Sequence, residues 1–317
     1  MSFVSRAGSL GDVTTASLAW STERNRLVGI AYRMLGDFGA AEDIVSDVAL
    51  EALRAESSGD DVRSWAAWLT TVCVRRSIDQ LRRVQSAREE YPGPWLPEPV
   101  ATERLPDDVV ADREMLSLAV LHLAEQLEPA ARAAVVLHRA FAMTSVEIAR
   151  ILDRSPASVR QLISRGEKRL QLRDEPSASG ADVAAVRALV TAIETGDVAG
   201  VAGILTDDAI LWADGGGRVK SALNPIFGAE RIVRFFVGIL DKAAASGAAI
   251  SVGVVDVNGE RGLSLSVGGM ADVISLEMRG GLIAGVRRVS NPEKLSRVWW
   301  TGGSSGSMSE PLPKLDA

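Results

Sequence analysis

Between Arg150 and Arg173 seven arginines and lysines stand against two acids, Asp153 and Glu167. Arg, Gln and Ser can donate to both phosphates and base edges, whereas Lys serves phosphates as a point charge. Here they are spaced for one side of a helix: Arg160, Gln161, Ser164, Arg165, Lys168 and Arg169. Val159, Leu162, Ile163 and Leu170 form the apolar stripe opposite. Ser155 is placed to cap this helix, with Pro156 at its first position. A shorter helix precedes it, with Val146, Ile148, Ala149, Ile151 and Leu152 apolar, and Asp153-Arg154-Ser155-Pro156 breaks the two. Such a helix-turn-helix fits a major groove. The same pattern also suits a helical hairpin with a solvated charged face.

A second basic stretch runs from Arg63 to Arg88, with six arginines and one acid, Asp79. It reads as a long helix with Arg75, Arg76, Arg82, Arg83 and Arg88 outside and Trp65, Trp68, Leu69, Val72 and Leu81 apolar. The two tryptophans suit either the core or stacking on unpaired bases. Two helices come first. One begins near Ala16, with Leu18, Leu27, Ile30, Ala31, Met34 and Leu35 expected inward. The next, residues 39–56, turns Ala41, Ile44, Val45, Val48 and Leu53 inward and shows an acidic stripe of Glu42, Asp43, Asp47, Glu51 and Glu56. A charge run of this kind is ordinarily a solvated face.

The chain has 317 residues, 47% of them hydrophobic, and a formal net charge of −6. That length suggests two or three domains. Overall acidity argues against non-specific coating of nucleic acid. Basic stripes on an acidic body instead suggest contact at chosen faces, with a partner to hold the protein there. Cys73 is the sole cysteine, so a disulfide within the chain and a cysteine metal site are both excluded. With no signal peptide and no apolar run near the ~20 residues that span a bilayer, a cytoplasmic location without a membrane partner is expected.

Residues 91–99 (YPGPWLPEP) hold four prolines and must be an extended, stiff connector. Trp95 and Leu96 are too apolar for a free spacer and should dock on a neighbouring surface. Beyond a linker at 175–180, residues 181–197 and 198–209 read as helices, 209–217 as a strand entering a turn, and 229–244 as a third helix. Four strand-like runs follow over 249–290, separated by Asn-Gly, Gly-Gly and Gly-Gly turn signals. Helices followed by an antiparallel meander suggest an α+β cone. Asp214 and Asp272 are its acid candidates, but His122 and His138 lie upstream and no tyrosine follows Tyr91. No catalytic residue, metal site or cofactor is expected.

Taken in order, residues 16–173 resemble a bacterial extracytoplasmic-function sigma factor of the sigma-70 superfamily. LVGIAYRMLGDFGAAEDIVSDVALEAL looks like the family's first helices, WAAWLTTVCVRRSIDQLRR like its minus-10 reading helix, and LEPAARAAVVLHRAFAMTSVEIARILDRSPASVRQLISRGEKRL like its minus-35 reading domain. The resemblance is strongest to the sigma-J-like subgroup, which carries a SnoaL-like, nuclear-transport-factor-2-like extension. That subgroup has a linker similar to YPGPWLPEP, a glycine motif similar to Asp214-Gly215-Gly216-Gly217-Arg218, and a late motif matched by Asn291-Pro292-Glu293-Lys294-Leu295.

The fold implied is two all-α domains, the second with a helix-turn-helix, followed by an α+β cone. The parts would be a tail at 1–15, a region 2 domain at 16–90, a linker at 91–111, a region 4 domain at 112–174, a regulatory domain at 181–300 and a tail at 301–317. The resemblance implies that Glu42, Asp43 and Asp47 meet the beta-prime clamp coiled coil of RNA polymerase core, with region 4 on the beta flap. The family commonly shows Gln-Glu and a nearby Trp where this chain has Ser46-Asp47 and Ala49. It implies that Arg75, Arg76, Arg82, Arg83 and the loop at 57–62 engage a minus-10 element. In the minus-35 groove Arg160, Gln161 and Arg165 are base-edge candidates, with Ser164 beside them, and Arg154, Lys168 and Arg169 phosphate contacts. Trp95, Asp214–Arg218, Asn291, Pro292 and Lys294 would form a regulatory, interdomain set, and the cone is open to a small-molecule ligand. Two other functions compete: a helix-turn-helix regulator with a ligand-sensing domain, and a SnoaL-like cyclase or isomerase. The acidic helix and the Arg63–Arg88 element disfavour the first, and the missing catalytic constellation disfavours the second.

Overall fold

The computed structural model describes residues 14–110, 114–172 and 197–298. Three long helices open it: α1 (Thr15–Leu35), α2 (Phe38–Ser57) and α3 (Trp65–Glu89). Thr14 and Asp37 cap the first two through their side-chain oxygens, and Gly36, at φ +65°, ends α1 where a β-carbon would be strained. Leu27, Ile30, Ala31, Met34, Ala41, Val45, Val48, Leu69 and Cys73 are buried between them. Burial also pushes the Cys73 thiol up to about 12. Trp65 and Trp68 are half-buried against this core and meet edge to face at 5.7 Å. Two expected core positions are outside: Leu18 is 56% and Leu53 41% exposed. The helical period explains both, because the inward stripe continues to Ala16 in α1 and through Ala52 and Ala55 in α2.

A second helical group follows, with α4 (Asp107–Val110), a 3₁₀ turn (Glu114–Leu116), α5 (Leu118–Ala124), α6 (Pro129–Arg139), α7 (Ser145–Leu152) and α8 (Pro156–Leu170). Thr144 and Glu147 close a reciprocal capping box on α7, which satisfies two orphan donors. Ser155 accepts from the Ser158 N–H at 3.2 Å and Pro156 opens α8. Gly166 sets how closely α8 lies on α6, since a β-carbon there would stand 2.4 Å from Val135 Cγ2. Gly166→Ala should therefore destabilise the protein by about 1–3 kcal/mol through overpacking, although alanine is the better helix former by ~1 kcal/mol. Urea unfolding measures it, and a neutral or stabilising result would contradict the close contact. Buried residues of both helical groups, from Ala16 to Leu170, form one continuous cluster.

The last third contains α9 (Val198–Gly203), β1 (Leu205–Asp214), β2 (Ile226–Phe227), α10 (Ala229–Ser246), β3 (Ile250–Val257), β4 (Glu260–Val267), β5 (Met270–Arg279), β6 (Leu282–Val289) and a 3₁₀ turn (Pro292–Lys294). The expected helix at 181–197 lies outside the described residues, apart from Asp197, which caps α9. That expected at 198–209 is half strand: α9 ends at Gly203, and from Leu205 the chain extends with Leu205, Ala209, Leu211 and Ala213 buried. Asp207 and Asp208 interrupt the alternation in the sequence, and pairing with β6 imposes the strand. Sheet order is β2-β1-β6-β5-β4-β3, antiparallel except for the parallel β1–β6 pair. One sheet face packs Leu211, Leu263, Leu265, Ile274, Leu276 and Val286 with Ile232 and Val233 of α10. The other packs Trp212, Val257, Val273 and Val289 with Leu96 of the proline-rich connector and with Leu295 and Val298. The connector thus runs as a buried strip between the sheet and the helices.

Candidate nucleic-acid interface and the connector lock

Every polar side chain expected on the reading face of α8 is exposed: Arg160, Gln161, Ser164, Arg165, Lys168 and Arg169. Val159, Ile163 and Leu170 are buried on its other side. Arg160, Gln161, Ser164 and Arg165, with Ala157, line a shallow concavity of about 390 Å³. Arg154 is exposed in the preceding turn, where its backbone N–H bonds to Ala149 O at 3.0 Å. The four α3 arginines expected at a minus-10 element, Arg75, Arg76, Arg82 and Arg83, divide differently. Arg82 and Arg83 are exposed and touch only their own helix, at Asp79 (3.2 Å) and Gln80 (3.4 Å), among the described contacts. Arg76 is held by Asp47 (3.1 Å) and by Glu51. Arg75 Nε donates to Ile151 O at the end of α7, at 3.3 Å. Two of the four are thus engaged inside the protein, one of them across the two helical groups.

On α2, Asp43 and Asp47 are exposed beside Leu50 (52%) and Leu53 (41%), an acidic and apolar face. Glu42, at the edge of that face, receives Arg297 Nη2 at 2.8 Å. Arg297 Nη1 reaches Glu98 Oε1 at 3.1 Å, and Glu98 Oε2 accepts from the Phe38 N–H at 2.7 Å, at the positive end of α2. Burial raises the Glu98 carboxyl, and Arg297 and the Phe38 N–H offset part of that.

Asp214 is the centre of the connector's anchorage. Its carboxylate is fully buried and takes four donors: the Tyr91 hydroxyl (2.7 Å), the Gly216 N–H (3.0 Å), the Leu96 N–H (2.9 Å) and Lys294 Nζ (2.8 Å). Lys294 also donates to Leu96 O at 2.6 Å, and Asn291 Nδ2 to the Tyr91 oxygen at 3.0 Å. Burial pulls the Lys294 ammonium down and Asp214 restores part of the loss. Burial and then Asp214 hold the Tyr91 phenol up, so it stays a donor. Arg88 (3.8 Å) and Lys294 (4.1 Å) both make cation–π contacts with the Trp95 ring. The glycines are a steric necessity, because a β-carbon on Gly215 would meet Val219 O at 2.3 Å, on Gly216 Asn291 Nδ2 at 2.2 Å, and on Gly217 Pro92 Cγ at 3.0 Å. Pro292 opens the 3₁₀ turn that aims Lys294, and Asn291 caps it. Arg218 pairs with Glu293 at the surface, both 64% exposed, where an ion pair contributes little.

Sequence reasoning missed a second anchor. Asn258, legible only as half of an Asn-Gly turn, is fully buried at φ +55°. Its Oδ1 accepts from the Val100 N–H (2.9 Å), and its Nδ2 donates to the Tyr32 hydroxyl oxygen (2.6 Å) and to Leu116 O (3.0 Å). Tyr32 in turn donates to Glu98 O at 2.7 Å. One amide thus joins α1, the connector, the start of the second helical group and the β3–β4 turn. The nearest sequence signal was a lone tyrosine among the aliphatic residues of α1. Asp272, an acid candidate, is bound twice by Arg288, at 2.9 and 2.6 Å, and is a buried ion pair.

The comparisons agree with this architecture. Residues 20–87 match the family described as Sigma-70 region 2 and residues 117–170 the family described as Sigma-70, region 4. The ECF RNA polymerase sigma factor SigJ of Mycobacterium tuberculosis is 31% identical over 292 residues, which span 86% of this chain and 91% of that protein. The chain belongs to the ECF RNA polymerase sigma factors. Its fold is also that of the crystal structure of Mycobacterium tuberculosis SigJ, with a TM-score of 0.70 and 30% identity over 88% of this chain and 97% of that one. SigW of Bacillus subtilis, 29% identical, matches over 85% of its own length but only 48% of this chain. The sigma factor described here therefore joins the helical sigma domains to a C-terminal α+β domain. It is a transcription initiation factor, not an enzyme, and its partners as a family member are RNA polymerase core and promoter DNA. No helix among the described residues is long and apolar enough to cross a membrane.

Proposed function

We propose that this sigma factor reads a promoter with α8 and α3 while α2 grips the polymerase, and that the cone governs when it does so. The free polar face of α8 carries the reading, because it alone among the basic elements is exposed along its whole length. Arg160, Gln161 and Arg165 read base edges of the minus-35 element in the major groove, with Ser164 between them, and Arg154, Lys168 and Arg169 hold phosphates. Arg82 and Arg83 meet the minus-10 element, and Arg75 and Arg76 join them once freed from Ile151 and from Asp47. Asp43, Asp47 and Leu50, at i, i+4 and i+7 on α2, offer one acidic and apolar face to the clamp coiled coil of beta-prime, and region 4 docks on the beta flap.

Regulation follows from Arg75 bonding to α7. With α3 bonded to α7, the first helix of the helix-turn-helix that carries α8, the two reading helices cannot reach separated promoter segments, so the compact arrangement must open. Asp214, Lys294, Asn291 and Asn258 hold it shut through the connector. Run-off transcription with purified core, comparing the full chain with residues 1–175, tests both halves of the proposal. The shorter chain should initiate several-fold more from the same promoter. Equal output and equal core affinity would remove the regulatory half; no core association and no initiation by either chain would remove the whole.

A further inference from the structure

A cavity of about 640 Å³ lies where α3, the connector and the α5–α6 corner meet. Leu81 and Arg88 line it from α3, Trp95 from the connector, and His122, Glu125 and Arg132 from the second helical group. That volume falls in the range of small-molecule sites. Its charge is unbalanced. Arg88 and Arg132 share one carboxylate, Glu125. Glu128, also on the lining, is exposed to solvent. Burial pulls His122 down to about 3, so it is neutral and adds no charge. Arg132 is 2% exposed, and its Nε and Nη2 have no hydrogen-bond partner among the described residues. A buried guanidinium with two idle donors is costly unless an acceptor reaches it. Leu81, Trp95 and the nearby Leu127 and Pro129 supply apolar wall beside this cationic end.

We infer that this cavity is a binding site for a small amphiphilic monoanion, a carboxylate with an aryl or short acyl body, whose head group meets Arg132 and Arg88. Two arginines and one half-buried glutamate leave a single positive charge, which one carboxylate neutralises. Because the walls come from both helical groups and the connector, such a ligand binds only the compact arrangement and holds it closed. This rests on that arrangement, not on which DNA the protein reads. It is separate from any ligand in the cone, whose sheet contributes nothing to the walls.

The test uses the full chain with naphthoate and, as its uncharged counterpart, naphthalene methanol, followed by calorimetric titration and thermal unfolding. Naphthoate should bind saturably and raise the melting temperature, and the alcohol should bind roughly tenfold or more weakly. Arg132→Met should weaken naphthoate by a similar factor. Leu81→Trp, which fills the cavity from α3 and leaves every charge in place, should abolish binding, and it decides the matter should Arg132→Met fail to fold. No saturable binding to the parent protein, equal binding of acid and alcohol, or undiminished binding to folded Leu81→Trp would each overturn the site.

Discussion

Replacing Asp214 by alanine should cost about 3–5 kcal/mol of stability, the range for removing one partner of a buried ion pair. Three donors besides Lys294 lose their acceptor at once: the Tyr91 hydroxyl and the N–H groups of Leu96 and Gly216. Lys294 keeps one hydrogen-bond acceptor, Leu96 O, and its ring contact with Trp95, but loses its counterion. Asp214→Asn retains the shape and one acceptor oxygen, so it should cost less than the alanine variant. The connector should also become accessible, so limited proteolysis within 91–101 should accelerate in both variants in the same order. Urea unfolding measures the first effect and the cleavage rate the second. A loss under about 1 kcal/mol for Asp214→Ala would mean that the four hydrogen bonds only compensate desolvation.

On matched promoter DNA, Arg165→Ala should lose about 1–3 kcal/mol of discrimination, the scale of one good bidentate base contact. Lys168→Ala serves as its counterpart. A phosphate contact weakens matched and scrambled promoters alike and lowers the salt slope by about one. The two side chains share the exposed face of α8 and neither is engaged elsewhere among the described contacts, so both effects should appear without loss of fold. Binding curves on matched and scrambled sites at several salt concentrations separate them. If Arg165→Ala weakens both sites equally, the residue is a phosphate contact and base reading falls to Arg160 and Gln161.

Local signals made the helices legible. Ser155 and Pro156 mark the start of α8 because capping depends on a few adjacent residues. The docking of Trp95 and Leu96 follows from apolar side chains in a stiff connector. Their partners did not, because the connector's contacts bridge more than a hundred residues, as from Leu96 to Asp214. Leu18 and Leu53 were misplaced since an apolar side chain one step off the stripe looks the same in a short window as one on it. The parallel β1–β6 pair was hidden for a similar reason, as neither strand carries a sign of its partner. Arg75 and Arg76 were read by charge alone, and charge does not reveal whether a protein or a nucleic acid satisfies it. The glycines at 215–217 came from a resemblance, and the close approach of Asn291 and Pro92 supplies their physical reason.

Asn258 gives the clasp a chronology. During synthesis, residues 14–172 emerge and can pack well before the β3–β4 turn exists, since its amide lies 158 positions downstream of Val100. At roughly 5–20 residues per second, the ribosome needs on the order of 5–20 s to travel from the end of α8 to this turn. Each newly made molecule thus passes through an interval in which Tyr32, Val100 and Leu116 lack the amide that joins them.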